Sequence, residues 1–172
     1  MDLPGFGASD KPRGRYDARW FAERVTRFID ALGYDSVSVA GNSMGGRVAM
    51  ELGMGHPDRV HSISCLCPAA AFTHRPALGL VRVVRPELGV VASRLPRSRI
   101  LPQMRGLFAD PACVEPEWYE AAVDDFLHVW RSPRARMAFF ASLRNIYLDE
   151  PEGHSGFYAR LSSMQVPSLF IY

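Results

Sequence analysis

Gly41-Asn42-Ser43-Met44-Gly45 sets a serine between two glycines at the spacing G-x-S-x-G. A serine held on so tight a strand-to-helix turn presents its hydroxyl as a nucleophile toward a carbonyl carbon. Gly41 and Gly45 are the positions where a side chain is expected to collide across the turn, and Gly46 and Ala49 let the next helix lie close to a sheet. Ser43 then stands at a helix N-terminus, where the dipole and free N–H groups favour negative charge, and the Met44 N–H is the candidate donor to an oxyanion. By composition alone the pattern would arise in about one chain of this length in twenty. Its context discriminates: Ser36-Val37-Ser38-Val39-Ala40 is a short β-branched run before Gly41, and Met44 to Gly55 reads as a helix after it.

The elements around this turn follow from hydrophobic spacing. Phe21, Val25, Phe28, Ile29 and Leu32 recur at helical intervals, with Asp17 as N-cap, Gly33 as stop and a Glu23–Arg27 pair on the wet side. After His56-Pro57 a second strand is predicted over Val60–Leu66, and the order helix, strand, helix, strand implies a parallel sheet with crossover helices. From Pro68 to about Ser163 the chain shows no strand pattern, only Pro-punctuated helices. One carries Trp118, Ala122, Phe126 and Val129 on a face, another Arg136, Phe140, Leu143 and Tyr147. Strand character returns in Val166–Tyr172.

A second motif, Asp2-Leu3-Pro4-Gly5-Phe6-Gly7-Ala8-Ser9-Asp10, precedes the elbow, and His56-Pro57-Asp58-Arg59-Val60 follows it. Together with Gly-Asn-Ser-Met-Gly-Gly they resemble the α/β-hydrolase superfamily over nearly the whole chain. The resemblance implies an α/β fold with a parallel sheet: a remnant of strand 4, then strands 5, 6 and 7, with a helical lid inserted after strand 6. The expected division is a core over 1–71, the lid over 72–163 and strand 7 over 164–172. The elbow is most similar to that of the carbon–carbon bond hydrolases of meta-cleavage products and their esterase relatives. No lid arginine for a substrate carboxylate has a clear counterpart here, since Asp124-Asp125-Phe126 stands about where it would be sought. Epoxide hydrolases and haloalkane dehalogenases carry Asp at the nucleophile position, which Ser43 does not match.

A serine nucleophile needs a base to take its proton and an acid to orient that base. The resemblance puts the acid after strand 7 and the histidine after strand 8, both beyond Tyr172, and Pro68-Ala69-Ala70-Ala71 fills the alternative acid position. His56 and His61 flank the helix-to-strand turn at the far end of the strands, while His74, His128 and His154 fall in lid segments or a Gly/Ser loop and read as solvated or packed. The resemblance also draws the second oxyanion N–H from a loop after strand 3, and sets Met1 within strand 4. The expectation is an incomplete chain, inactive or nearly so by itself, whose strand 5 has an open edge.

Composition narrows the function class. The 172 residues carry 20 Lys+Arg against 18 Asp+Glu, a net charge of +2 that points to neither nucleic acid nor an anionic membrane. Arg94, Arg97 and Arg99 form a short basic loop read as solvated. Cys65, Cys67 and Cys113 match neither a redox pair nor a metal site; they read as buried free thiols, which suits a reducing cytoplasm. No signal peptide or membrane span is evident, and no metal or cofactor is expected. A small molecule is the expected partner, with an ester or related carbonyl compound as substrate. Cleavage of a carbon–carbon bond and non-catalytic binding are the alternatives.

Overall fold

The computed structural model of the protein describes residues 1–83, 85–87 and 95–172; Arg94 of the basic loop lies outside the described residues. Asp17 accepts from Trp20 N–H at 2.8 Å and starts helix α1 (Ala18–Ala31). Strand β1 (Val37–Asn42), helix α2 (Met44–Gly55) and strand β2 (Val60–Leu66) follow, the last two with the bounds predicted from the sequence. Among the described residues, the segment 72–163 holds helices α3 (Leu78–Val83), α4 (Arg97–Arg105), α5 (Pro116–Trp130), α6 (Pro133–Leu148) and α7 (Phe157–Ser162), and no strand. Strand β3 (Ser168–Ile171) closes the order.

The three strands are parallel in the order β1-β2-β3, with Asn42 opposite Leu66 and Leu66 opposite Ile171. Their carboxyl ends therefore share one end of the sheet. His61 lies at the opposite end, where its Nε2 is 2.7 Å from Ser36 Oγ. Helix α2 packs on the sheet with every residue from Gly46 to Gly53 buried. Phe21, Ile29, Leu52, Ile63, Cys65 and Phe157 complete the core around it. Both β1 and β3 are edges of the described sheet. Val37 and Val39 are half-buried, whereas β3 is exposed along its length.

Several local expectations are corrected. Residues 1–16 contain no strand, so Met1 is not part of one, while Asp2–Asp10 forms the loop expected of it. Asp2 carboxylate accepts from Ala8 N–H at 2.8 Å, Ser9 hydroxyl donates to the Asp2 carbonyl, and Gly5 N–H donates to the Asp10 carbonyl. Glu23 lies 3.8 Å from Arg15 rather than pairing with Arg27. On α5 the buried side chains are Tyr119 and Val123, one position on from the predicted stripe, and Trp118 is half-exposed against Phe108. On α6 the inward face is Ala135, Ala138, Ser142 and Ile146 together with Arg136, and Leu143 is exposed. Small residues win that face because they allow close approach. Cys65 is buried but Cys67 and Cys113 are exposed, all three free; Cys67 has φ +40°, which breaks the strand alternation that would have turned it inward.

A buried ionic cluster ties α2 to the segment around α7. Arg47 is 1% exposed and stacks its guanidinium 3.5 Å from the Phe157 ring centroid. It donates to Asp149 and, at 3.2 Å, to Glu51. Glu51 also accepts from both terminal nitrogens of Arg160 at 2.6 and 2.9 Å, and Arg19 stands 3.7 Å away. Burial lowers the Arg47 pKa to about 10, against the opposing pull of Glu51, so it stays charged at neutral pH. Burial alone would raise the Glu51 carboxyl, but Arg160, Arg47 and Arg19 outweigh it and hold the group below its ordinary value of 4.5.

Because the Glu51 pKa is lower folded than unfolded, its stabilisation is complete above the ordinary carboxylate range and is lost as pH falls through the folded value. Glu51→Gln is expected to cost about 3–5 kcal/mol at neutral pH, since it removes the buried carboxylate that pairs with Arg47 and Arg160. It should also flatten the acid limb of the stability–pH curve. Urea denaturation of both forms between neutral pH and the acid limit checks this; an unchanged limb refutes it.

Candidate active site

The turn between β1 and α2 puts Ser43 at φ 50°, ψ −112°, a backbone region that residues with a Cβ rarely occupy. Three hydrogen bonds hold it there. Ser43 N–H donates to the Leu66 carbonyl at 2.9 Å, and the Ser43 carbonyl accepts from Arg47 N–H at 3.1 Å and Ala69 N–H at 2.9 Å. Strain of this kind costs about 1–3 kcal/mol. Three backbone bonds at about 0.5–1.5 kcal/mol each offset it.

Close approach explains why the chain is bare on one side of the turn. A Cβ at Gly41 would lie 2.3 Å from the carbonyl carbon and oxygen of Gly45, and one at Gly46 would lie 2.8 Å from Pro68 Cβ. The collision predicted for Gly45 itself does not exist, because its Cβ direction has nothing within 4 Å. Gly45 contributes its backbone to the crowded side and leaves the other open. Ala49 is fully buried, and Cys65 Sγ reaches the Gly46 carbonyl at 3.5 Å, so α2 does rest closely on β2.

The Ser43 side chain is exposed and its hydroxyl has no hydrogen-bond partner among the described residues. Met44 is the first residue of α2, and its N–H donates to no described group. Asn42 is exposed beside it at the end of β1. The arrangement offers a hydroxyl and a helix N-terminus to the same side of the sheet, the side where an oxyanion would be stabilised. Among the described residues no histidine or carboxylate bonds to Ser43. His56 ends α2, His61 bonds to Ser36, and His74, His128 and His154 are exposed. Pro68-Ala69-Ala70-Ala71 serves the turn through backbone and packing, with Ala71 buried and its carbonyl accepting from Tyr158 hydroxyl at 2.8 Å.

Sequence reading missed Arg47, Glu51, Asp149 and Arg160. The i,i+4 spacing of Arg47 and Glu51 on one helix carried a signal, although such pairs usually face solvent. Asp149 and Arg160 lie more than a hundred residues from their partners, and no local pattern announces them.

A sequence profile described as alpha/beta hydrolase fold matches residues 1–95. The chain is 35% identical over 122 residues to the dihydrolipoyllysine-residue acetyltransferase component of the acetoin cleaving system of Pseudomonas putida, covering 70% of this chain and 30% of that protein. It is 42% identical over 64 residues to 2-hydroxymuconate semialdehyde hydrolase of Pseudomonas putida, covering 36% of this chain and 22% of that protein. The enol-lactonase structure from Burkholderia xenovorans superposes with a TM-score of 0.71 at 18% identity, over 98% of this chain and 59% of that chain. The chain thus spans less than a third of those two curated relatives. Among the described residues no helix is long and apolar enough to cross a membrane. With the profile covering more than half of its residues, including the whole strand–turn–helix around Ser43, the chain belongs to the alpha/beta hydrolase fold family.

Proposed function

We propose that Ser43 is the nucleophile of a hydrolase acting on a small ester or related carbonyl substrate, with the Met44 N–H as an oxyanion donor. The observation that carries this reading is the left-handed Ser43 backbone, which leaves an exposed, unbonded hydroxyl at the N-terminus of α2. A general base takes the Ser43 proton as Oγ bonds to the carbonyl carbon. The carbonyl oxygen gains the charge that Met44 N–H meets, and collapse expels the leaving group with a proton. Water then repeats the sequence on the acyl-serine.

Under this proposal the acid and histidine of the triad come from outside residues 1–172, since no described residue occupies either role at Ser43. The segment 72–163 acts as a lid over the carboxyl ends of the strands, where ligands of open parallel sheets bind. The free thiols Cys67 and Cys113 suit a cytoplasmic protein. A second reading, hydrolysis of a carbon–carbon bond beside a carbonyl, is favoured by the 64-residue stretch shared with 2-hydroxymuconate semialdehyde hydrolase. At the position considered for a lid arginine, Asp124 is ion-paired with Arg97.

Three measurements test the main reading. In the protein extended on both sides from its coding DNA, a fluorophosphonate probe is expected to label Ser43. Ser43→Ala should abolish labelling and leave only the residual roughly 10³–10⁴-fold catalysis over water; labelling that persists in the variant refutes the nucleophile. Residues 1–172 alone should turn over p-nitrophenyl butyrate about 10²–10⁴-fold more slowly than the extended protein, the usual contribution of a general base. The same chain should self-associate on size-exclusion chromatography through the β1 and β3 edges. Equal turnover from a monomer would assign the base to a residue within 1–172.

A further inference from the structure

A cavity of about 780 Å³ lies between residues 11–16 and α6, and no residue of the Ser43 turn lines it. Its lining holds five cationic side chains, Lys11, Arg13, Arg15, Arg134 and Arg144, against one carboxylate, Glu87. The whole chain has a net charge of only +2, so positive charge is concentrated at this place. Arg15 is matched by Asp17 and Glu23. Lys11 donates to the Gly7 and Ser9 carbonyls, and Arg144 to those of Val81 and Arg82, contacts that orient both side chains. Arg13 and Arg134 have no ion pair or hydrogen bond among the described residues.

The walls are built rather than loose. Tyr16 is 5% exposed and donates its hydroxyl to the Pro12 carbonyl, which closes the 12–16 loop on itself. Asn145 donates to the Arg15 carbonyl and fastens α6 to that loop. Between the cations, Met137 and Ala141 supply an apolar strip. A guanidinium fork matches the planar oxygens of carboxylate or phosphate.

We propose that this cavity binds a small organic anion, its phosphate or carboxylate group held by Arg13 and Arg134 and its apolar body lying against Met137 and Ala141. The site goes beyond the hydrolase reading, and its test does not depend on turnover.

Isothermal titration of the extended protein, in the Ser43→Ala form, with octyl phosphate, octanoate, inorganic phosphate and 1-octanol at low salt tests the proposal. Octyl phosphate or octanoate is expected to bind saturably, the tighter of the two identifying the head group. Inorganic phosphate should bind more weakly than octyl phosphate, and 1-octanol not measurably. Arg13→Ala combined with Arg134→Ala should weaken binding at least tenfold, about 1.4 kcal/mol, without altering Tm, since both side chains are exposed. Arg27→Ala combined with Arg99→Ala, cations outside the cavity, should leave it unchanged. The proposal is overturned if neither octyl anion binds at millimolar concentration. Equal affinity in the Arg13/Arg134 double variant, or an equal loss in the Arg27/Arg99 control, overturns it as well.

Discussion

The backbone of Ser43 is the constraint on which the other features depend. A left-handed φ at a residue with a Cβ persists only when neighbours over-determine it, and here they come from two directions. Leu66, at the end of β2, takes the Ser43 N–H, while Arg47 and Ala69 both donate to its carbonyl. Each partner requires α2 to start directly above the strand ends. That is possible only because Gly41 and Gly46 leave no side chain between turn, helix and Pro68. The fold does not merely carry the serine. Sheet, helix and following loop converge on one peptide unit.

Such close packing leaves α2 almost wholly buried, and its charged residues must be neutralised inside the protein. Arg47 and Glu51 solve this jointly with Asp149 and Arg160, supplied by the end of α6 and by α7. The desolvation each charge suffers is severe in isolation, and only a hydrogen-bonded network repays it. The nitrogens Arg47 Nε and Nη1 nevertheless have no partner among the described residues, so the network is held by Nη2 and by stacking on Phe157. A helix that must lie close to the sheet for the sake of the turn thereby also fixes the segment around α7.

Elements bounded by strong local signals were legible in the sequence. Glycine at a tight turn, the β-branched runs of β1 and β2 and the Asp17 cap act within a few residues, so the elements around Ser43 fall where they are predicted. The faces of α5 and α6 were not legible, because the pattern of large apolar residues was taken as the buried stripe. On α6 the opposing surface selects small side chains, Ala135, Ala138 and Ser142, and turns Leu143 outward. On α5 the stripe is displaced by one position because Tyr119 packs inward and sends its hydroxyl to the Pro111 carbonyl. The loop expected over Asp2–Asp10 is closed by the Asp2 side chain, which takes the Ala8 N–H. The ionic cluster was illegible because two of its members meet α2 only through tertiary packing.

These contacts also relate the cationic cavity to a neighbouring one. Arg15 and Asn145 line both the cationic cavity and a smaller one of about 350 Å³ that contains Arg47, Glu51 and Asp149. The Asn145 bond to the Arg15 carbonyl is thus a partition between a site rich in cations and the cluster that holds α2. Asp149 follows α6 directly and bonds to Arg47, whose own N–H holds the Ser43 carbonyl. Helix α6 is thereby linked to the elbow by two contacts in series, the Asp149–Arg47 pair and the Arg47 N–H bond to the Ser43 carbonyl.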